Sequence, residues 1–256
     1  MKQKKKVTGR VISQNEIAPD IFDMWIETGL GAQARPGQFV MVYPKAESTL
    51  LPRPISICEA EQTRLRMVYR VAGKGTREFS AYQAGEEIAV MGTLGNGFPV
   101  EEAVGRHAVL LGGGIGIPPL VQLAKALPGE KTILAGYRDD RLFLKEELAK
   151  LGDFHAATED GSVGIRGNVL DALRAYAPDG EILYACGPMP MLRAVKAYAQ
   201  EKGIPAYLSL EERMACGIGA CLGCVCRTVR RDGHSHVNNA RICTEGPVFE
   251  AGEVDI

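Results

Sequence analysis

Five of the chain's seven cysteines fall within residues 216–243. The run reads Cys216-Gly217-Ile218-Gly219-Ala220-Cys221-Leu222-Gly223-Cys224-Val225-Cys226, and Cys243 follows 18 residues after Cys224 without counting either end. Cys216, Cys221 and Cys224 form C-x4-C-x2-C, a spacing that holds a [2Fe–2S] cluster once a distant fourth cysteine, here Cys243, completes the set. Four thiolates must converge on a compact cluster, so the backbone has to wrap around it. Gly217, Gly219 and Gly223 are expected to supply the positive φ angles that such a wrap needs, with their N–H groups turned toward the sulfides. A structural zinc site could use the same donors, but its usual spacing is a pair of C-x2–4-C knuckles. Cys226 lies two residues beyond Cys224. In an extended segment the two side chains share a face, so geometry leaves it open as a ligand, and only the spacing speaks against it. His234 and His236 could form a Rieske-like pair only with two cysteines in matched loops. They are expected on the surface of a hairpin around Asp232-Gly233.

A second stretch suits phosphate chemistry. Gly112, Gly113, Gly114 and Gly116 follow an apolar run and precede a helical one. Such a turn lets a backbone approach a pyrophosphate at a helix N-terminus. The strict G-x-G-x-x-G fingerprint is absent, because residue 119 is proline. Cys186-Gly187-Pro188 also stands between an apolar run and a helical stretch, which puts both turns at the carboxyl edge of a sheet, where open α/β sheets bind ligands. A lone Cys186 there is ordinarily a small buried residue; beside a flavin it would help position a nicotinamide. Tyr137-Arg138-Asp139-Asp140 ends the next strand, and its mixed charge favours neither a free ribose nor a 2′-phosphate.

These groups need elements to hold them. Residues 7 to about 100 carry short β-like runs at 38–43, 65–71 and 87–91, punctuated by Pro36-Gly37, Gly73 and Gly92, a pattern of a small antiparallel barrel. From about residue 103 strands and helices alternate: strands at 108–111, 132–137 and 181–185, helices at 120–127, 141–151 and 189–202. That alternation means a parallel sheet with helices on its faces. Three units are therefore expected: a barrel over 1–102, an α/β domain over 103–210 and a small cysteine-rich domain over 211–256. The last is too short to bury a core of its own.

The composition is that of a soluble globular protein, with 46% hydrophobic and 24% charged residues and a net charge of -1. No electrostatic feature suggests nucleic acid, and no run reaches the length of a membrane span, so a cytoplasmic protein is expected. Lys2 to Lys6 read as a solvated tail.

Taken together these residues resemble the ferredoxin–NADP reductase superfamily, in which an FAD-binding barrel precedes a nucleotide-binding domain. Arg53-Pro54-Ile55-Ser56 resembles the Arg-x-x-Ser/Thr strand of that barrel. The resemblance implies Arg53 on the phosphate side of FAD, Ser56 near the isoalloxazine N5, Tyr69-Arg70-Val71 lining the flavin, and Gly75-Thr76 opening a helix at the diphosphate. Ser56 and Cys186 are then the residues expected nearest the reaction. The segment from Glu212 to Cys221, with Cys243-Thr244-Glu245-Gly246-Pro247-Val248-Phe249, is similar to the electron-transfer subunits of NAD-linked dihydroorotate dehydrogenases. The stretch between Cys224 and Cys243 is longer than in many relatives and is expected to form an enlarged hairpin. That resemblance implies FAD, a [2Fe–2S] cluster and NAD as cofactors, and an FMN-containing catalytic subunit as partner in a two-plus-two heterotetramer serving pyrimidine (UMP) synthesis. Subunits of NAD(P)-linked ferredoxin reductases, hydrogenases or sulfite reductases are the alternative.

Overall fold

The computed structural model describes residues 5–231 and 236–256. Six strands close an antiparallel barrel in the order β1-β2-β5-β4-β3-β6. They are β1 (Lys5–Ala18), β2 (Ile21–Glu27), β3 (Phe39–Tyr43), β4 (Arg53–Ala60), β5 (Arg64–Arg70) and β6 (Glu87–Leu94), and α1 (Lys74–Ser80) lies between β5 and β6. Alternate residues turn inward, so Val40, Val42, Ile55, Ile57, Leu65, Met67 and Tyr69 fill the barrel, and Phe79 of α1 joins them. The first strand corrects one expectation. Lys5 and Lys6 are not tail but the start of β1, paired with Gly92 and Met91, and Lys6 Nζ lies 4.1 Å from the Tyr43 ring centroid.

The remaining chain builds one seven-stranded sheet in the order β10-β9-β8-β7-β11-β12-β15. Its strands are β7 (Ala108–Gly113), β8 (Lys131–Tyr137), β9 (Asp153–Thr158), β10 (Ile165–Arg166), β11 (Ile182–Cys186), β12 (Ala206–Ser209) and β15 (Val248–Glu250), the last antiparallel to β12 and the others parallel. α2 (Pro119–Ala126) and α3 (Lys145–Leu148) cover one face, α4 (Val169–Tyr176) and α5 (Met189–Lys202) the other. The apolar strands split by parity, as a sheet covered on both sides requires. Leu110, Ile182 and Tyr184 meet α2, while Val109, Leu111, Leu183 and Ala185 meet α4 and α5.

The helix expected over 141–151 is reduced to α3. Asp139 Oδ1 accepts from Arg141 N at 3.1 Å, Tyr137 Oη donates to Phe143 O at 3.0 Å, and Leu144 sits at φ 62°. These contacts hold the chain in turns until Lys145.

The cysteine-rich segment forms a two-stranded antiparallel ladder of β13 (Val225–Arg227) and β14 (Asn239–Arg241), the enlarged hairpin anticipated between Cys224 and Cys243. Its expected tip, Asp232-Gly233, and His234 lie outside the described residues; His236 is exposed. The segment is not a separate body. Cys224, Ile242, Cys243, Phe249 and Val254 are buried in the same core as α4 and α5, and β15 completes the sheet.

Candidate functional site

The cysteine loop is shaped by backbone angles that glycine tolerates. Gly217 and Gly219 have φ of 67° and 83°. Gly223 does not take the third positive φ; Leu222 takes it instead, at 57°, which corrects the expectation. The turns aim N–H groups inward: Cys216 Sγ accepts from Ile218 N at 3.5 Å and Cys221 N at 3.4 Å, and Cys221 Sγ from Gly223 N at 3.5 Å. Burial pushes the Cys216 thiol up, but these N–H groups and the Cys221 side chain outweigh it and bring it down to about 6. Burial and then the neighbouring Cys224 push the Cys243 thiol up to about 12, against the Gly219 N–H. Among the described residues no three His, Cys, Asp or Glu side chains gather as the ligands of one metal ion would. Cys226 lies in β13 opposite Ala240, and burial pushes its thiol up to about 11.

In the barrel, β4 and β5 pair only at Ile57↔Met67, Glu59↔Arg66 and Ala60↔Leu65. Beyond Ile57 they fork. Arg53-Pro54-Ile55-Ser56 pairs with β3 on its other side, and Val68, Tyr69 and Arg70 pair with β2. The fork leaves two backbone edges facing a slot. Ile55 points into the barrel while Pro54 and Ser56 are half-buried on the outer face. Tyr69 differs from expectation. Its ring lies in the barrel core, 3% exposed, with its hydroxyl donating to Gln14 Oε1 at 3.2 Å. Only its backbone can line the slot, with Arg70 and Val71. At the open end Arg53 lies flat on α1: a β-carbon at Gly75 would sit 2.9 Å from Arg53 Nε. Arg53 Nη1 donates to Leu51 O at 2.6 Å, leaving other guanidinium donors available. The Thr76 hydroxyl is committed, accepting from Ala72 N at 2.9 Å and Gly73 N at 3.2 Å. What Gly75 and Thr76 offer an anion is the unpaired N–H groups of a first helical turn.

The sheet reverses its winding between β7 and β11, which makes their carboxyl ends the switch point. The structure brings both turns there. Gly112 pairs with Cys186. A β-carbon at Gly116 would lie 2.3 Å from Cys186 O, one at Gly113 2.6 Å from Met191 Sδ and 3.0 Å from Pro188 Cδ, and one at Gly112 2.7 Å from Leu120 Cδ1. Gly187 fits beneath Met191 in the same way. At each of these glycines the space of a side chain is taken by protein, so the glycines let strand, turn and helix pack closely. Gly114 alone is open, at φ 54°, with Arg70 Nη2 3.6 Å from its would-be β-carbon. Cys186 is 8% exposed; burial, only partly offset by a hydrogen bond with Ser209, pushes its thiol up to about 12. At the end of β8, Asp139 is paired by Arg141, Nε to Oδ1 2.9 Å; the Arg141 guanidinium holds its carboxyl down to about 2.

Three contacts absent from the sequence reading join these parts. A β-carbon at Gly217 would sit 2.6 Å from Met41 Cγ, and Met41 is the strand partner of Pro54. Adjacent strands lie about 4.8 Å apart, so one strand separates the cysteine loop from the barrel slot. Asn96 locks the segment after Cys243, donating from Nδ2 to Glu245 O at 3.1 Å and Val248 O at 2.7 Å and accepting from Val248 N at 3.1 Å. Arg70 spans from the slot to Gly114. The Asn96-Gly97 dipeptide was a visible turn signal; nothing local marked Met41.

The family model described as the iron–sulfur cluster binding domain of dihydroorotate dehydrogenase B matches residues 211–255. The dihydroorotate dehydrogenase B (NAD(+)) electron transfer subunit of Bacillus cereus strain G9842 is 45% identical over 255 residues, which cover 95% of this chain and 96% of that protein. Among solved structures, an NADH-dependent reduced ferredoxin–NADP oxidoreductase studied for flavin-based electron bifurcation is 30% identical, covers 96% of this chain and 89% of its own, and superposes with a TM-score of 0.85. A ferredoxin NADP+ reductase from Neisseria gonorrhoeae with bound FAD and NADP shares the fold at 16% identity, with 78% and 93% of the two chains covered and a TM-score of 0.64.

Proposed function

The chain belongs to the family of electron transfer subunits of NAD(+)-linked dihydroorotate dehydrogenase B, and from that premise we propose that it passes electrons from an FMN-containing, dihydroorotate-oxidising partner through a [2Fe–2S] cluster and FAD to NAD+. The observation that carries this reading is the adjacency of the cysteine loop to the barrel slot through Met41 and Pro54. A cluster carries one electron at a time and NAD+ accepts two as hydride, so a flavin between them supplies the conversion.

The chain's own residues suit each group. Cys216, Cys221, Cys224 and Cys243 supply the four thiolates that a two-iron cluster needs, and the loop N–H groups stabilise the sulfur charge. The β4–β5 fork exposes backbone donors and acceptors along a flat slot; Arg53 and the first turn of α1 supply charge for a diphosphate, and Ser56 presents a hydroxyl on the slot's outer face. Cys186 and Pro188 flank Gly114 at the switch point and shape a site for nicotinamide across from that face. Cys186 holds its proton, so it positions rather than transfers one. The pyrimidine chemistry belongs to the partner.

Ile218, Leu222 and Val225 stand 47%, 61% and 38% exposed around the cysteine loop. Apolar side chains beside an electron donor's entry point fit a docking face for the catalytic subunit. The complex is a heterotetramer of two plus two acting in the cytoplasm; no helix of the described residues is long and apolar enough to cross a membrane. The ferredoxin reductase reading has its support in the 30% identical structure, and the 45% identity favours the dihydroorotate reading.

The test is to co-purify the chain with an FMN-containing dihydroorotate dehydrogenase B catalytic subunit. The complex should reduce NAD+ with dihydroorotate and sediment as a two-plus-two assembly, while the chain alone should only oxidise NADH with ferricyanide. A chain that forms no such complex but exchanges electrons with ferredoxin would establish the alternative.

A further inference from the structure

A cluster of five charged side chains joins the barrel to the α/β domain away from the expected cofactor contacts. Arg66 of β5 is its centre, only 9% exposed. Arg66 Nη2 lies 2.8 Å from Asp23 Oδ2 of β2, and Arg66 Nη1 lies 3.4 Å from Glu59 Oε2 of β4 and 2.8 Å from Glu147 Oε2 of α3. Lys125 of α2 closes the ring, with Nζ 2.5 Å from Glu59 Oε1 and 3.8 Å from Glu147 Oε1. Two of the five members, Lys125 and Glu147, belong to the nucleotide side, and three to the barrel. Burial works against the Arg66 charge, but hydrogen bonds to Asp23 and Glu147 outweigh it and keep the guanidinium ionised.

Its position is what matters. Glu59↔Arg66 is the pair next to Ile57↔Met67, where β4 and β5 fork. The clamp therefore sits at the closed end of the slot. On the other side, α2 begins just after the Gly112–Gly116 turn and carries Lys125 in its last turn. Eight residues at 1.5 Å each make α2 a strut about 12 Å long. Between its ends the contact is apolar: Cys58 and Val68 of the barrel share a core with Leu120, Val121 and Ala124. Side by side, then, run the outer face of β4, from Ser56 to Cys58, and the axis of α2. An ionic clamp fixes one end of this pair. At the other end, Arg70 approaches Gly114 where flavin and nicotinamide would meet.

We propose that the Arg66 clamp is the device that sets the flavin–nicotinamide distance, with Arg66, Lys125 and Glu147 as positioning residues for hydride transfer; this rests on the functional reading above. An apolar contact alone permits sliding and tilt, because its energy depends on area and not on direction. A tilt of α2 by a few degrees about the clamp moves the far turn by ~1 Å, and a misplacement of that size costs up to ~100-fold in rate. Asp23 holds the guanidinium within the barrel through Nε at 3.0 Å and Nη2 at 2.8 Å, which orients Nη1 toward both Glu147 oxygens across the interface at 2.9 and 2.8 Å, and an oriented charged hydrogen bond constrains direction as well as distance.

The experiment compares Glu147→Gln, Lys125→Met and Lys125→Arg with the wild-type holoprotein, because Arg66→Met leaves three carboxylates in the interface and is prone not to fold. Anaerobic stopped flow follows bleaching of the bound flavin by saturating NADH, with the NADH charge-transfer absorbance, flavin and iron content, NADH affinity and Tm recorded alongside. Glu147→Gln and Lys125→Met should keep flavin, iron and NADH affinity within about twofold, weaken the charge-transfer band and slow bleaching about tenfold, and Lys125→Arg should restore most of the rate. A lowered Tm with an unchanged bleaching rate and charge-transfer band would reduce the clamp to a structural tie and overturn the inference. So would no change in any readout. A wild-type holoprotein that holds no flavin, or whose flavin NADH does not reduce, would instead overturn the functional reading itself.

Discussion

In the cysteine loop, Gly217 and Gly219 adopt φ of 67° and 83°, and the turns they allow aim N–H groups at sulfur. In the nucleotide turn, Gly112, Gly113 and Gly116 are there because a neighbour already occupies the space of a side chain, at 2.7, 2.6 and 2.3 Å from the would-be β-carbon. One glycine-rich loop is built to present its backbone to a ligand. The other is built to let β7, β11, α2 and α5 converge, and only Gly114 faces outward. The two look alike on paper; a side chain at Gly217 or Gly219 would also meet a neighbour, Met41 Cγ at 2.6 Å or Thr244 Cγ2 at 2.9 Å, and what separates the loops is the left-handed φ that Gly217 and Gly219 adopt and Gly112, Gly113 and Gly116 do not.

The contrast is broken most severely at the cysteine loop. Cys216, Cys221, Cys224 and Cys243 should each be indispensable. Replacing any one by serine should remove most iron and sulfide and abolish the reduced-state paramagnetic resonance signal. Cys226→Ser should keep both, because its side chain packs with the core from a paired strand. NADH should still reduce the flavin in the cluster-free variants while electrons from the partner no longer reach it. Cluster loss in Cys226→Ser with retention in Cys243→Ser would reverse the assignment of the fourth ligand.

A sharper probe sets Gly116→Ala against Gly114→Ala. The new methyl at residue 116 meets the carbonyl of Cys186, which is backbone and cannot swing away, so the turn or β11 must shift. Overpacking of this kind costs roughly 1–3 kcal/mol or more. The methyl at residue 114 meets only the Arg70 guanidinium, at an ordinary contact distance of 3.6 Å, and pays for its left-handed φ, roughly 1–2 kcal/mol. Thermal melts should rank Gly116→Ala well below Gly114→Ala. NADH titration should show the milder variant weakened without loss of flavin or iron. Equal melting temperatures would mean that the two glycines do not differ as described.

The cluster-binding segment was readable without a structure because cluster chemistry constrains cysteine spacing directly, and the matched family model covers the same residues, 211–255. The barrel and the parallel sheet were readable from period-two runs and their alternation with helices. Contacts between distant segments were not. Tyr69 sits in a run that lines the slot, yet its ring turns into the barrel by strand parity, and no local signal tells which parity faces in. Thr76 looks like a phosphate ligand until its hydroxyl is found bonded to Ala72 and Gly73. Leu222 carries a positive φ beside a glycine better suited to it. Met41, Asn96 and Arg66 owe their roles to partners in distant segments, Gly217 for Met41, Glu245 and Val248 for Asn96, Asp23 and Glu147 for Arg66, which no short window on the chain contains.

The flavin slot lies between these extremes, with one charged residue and one hydroxyl on an exposed edge. Arg53→Ala should release much of the FAD, read by absorbance after acid treatment, because the guanidinium lies against the first turn of α1 at the slot's open end. Ser56→Ala should hold FAD and slow its reduction by NADH modestly, on the order of tenfold, as expected for loss of one hydrogen bond near the reacting atom. Full FAD in Arg53→Ala would remove the diphosphate from this end of the barrel.

The smallest expected effect concerns Cys186, and its sign is fixed by burial. The ordinary thiol value of 9.0 rises to about 12 here, so the protonated form is the native one. Below pH 9 folded and unfolded chains both hold the proton, and the group leaves stability unaffected by pH. Above pH 9 the unfolded thiol ionises while the buried one does not. Stability is then lost progressively as pH rises from about 9 toward 12. Cys186→Ser has no such group, so the gap in denaturant midpoint between wild type and variant should shift against the wild type from pH 8 to pH 10. A neutral thiol also predicts kinetics: the rate of flavin reduction by NADH should show no ionisation assignable to Cys186 between pH 6 and 9, and the thiol should resist alkylation at pH 8. If the rate rose with an apparent pKa near 8 that Cys186→Ser abolished, the residue would be working as a thiolate, and the positioning role drawn from its burial against Ser209 would be wrong.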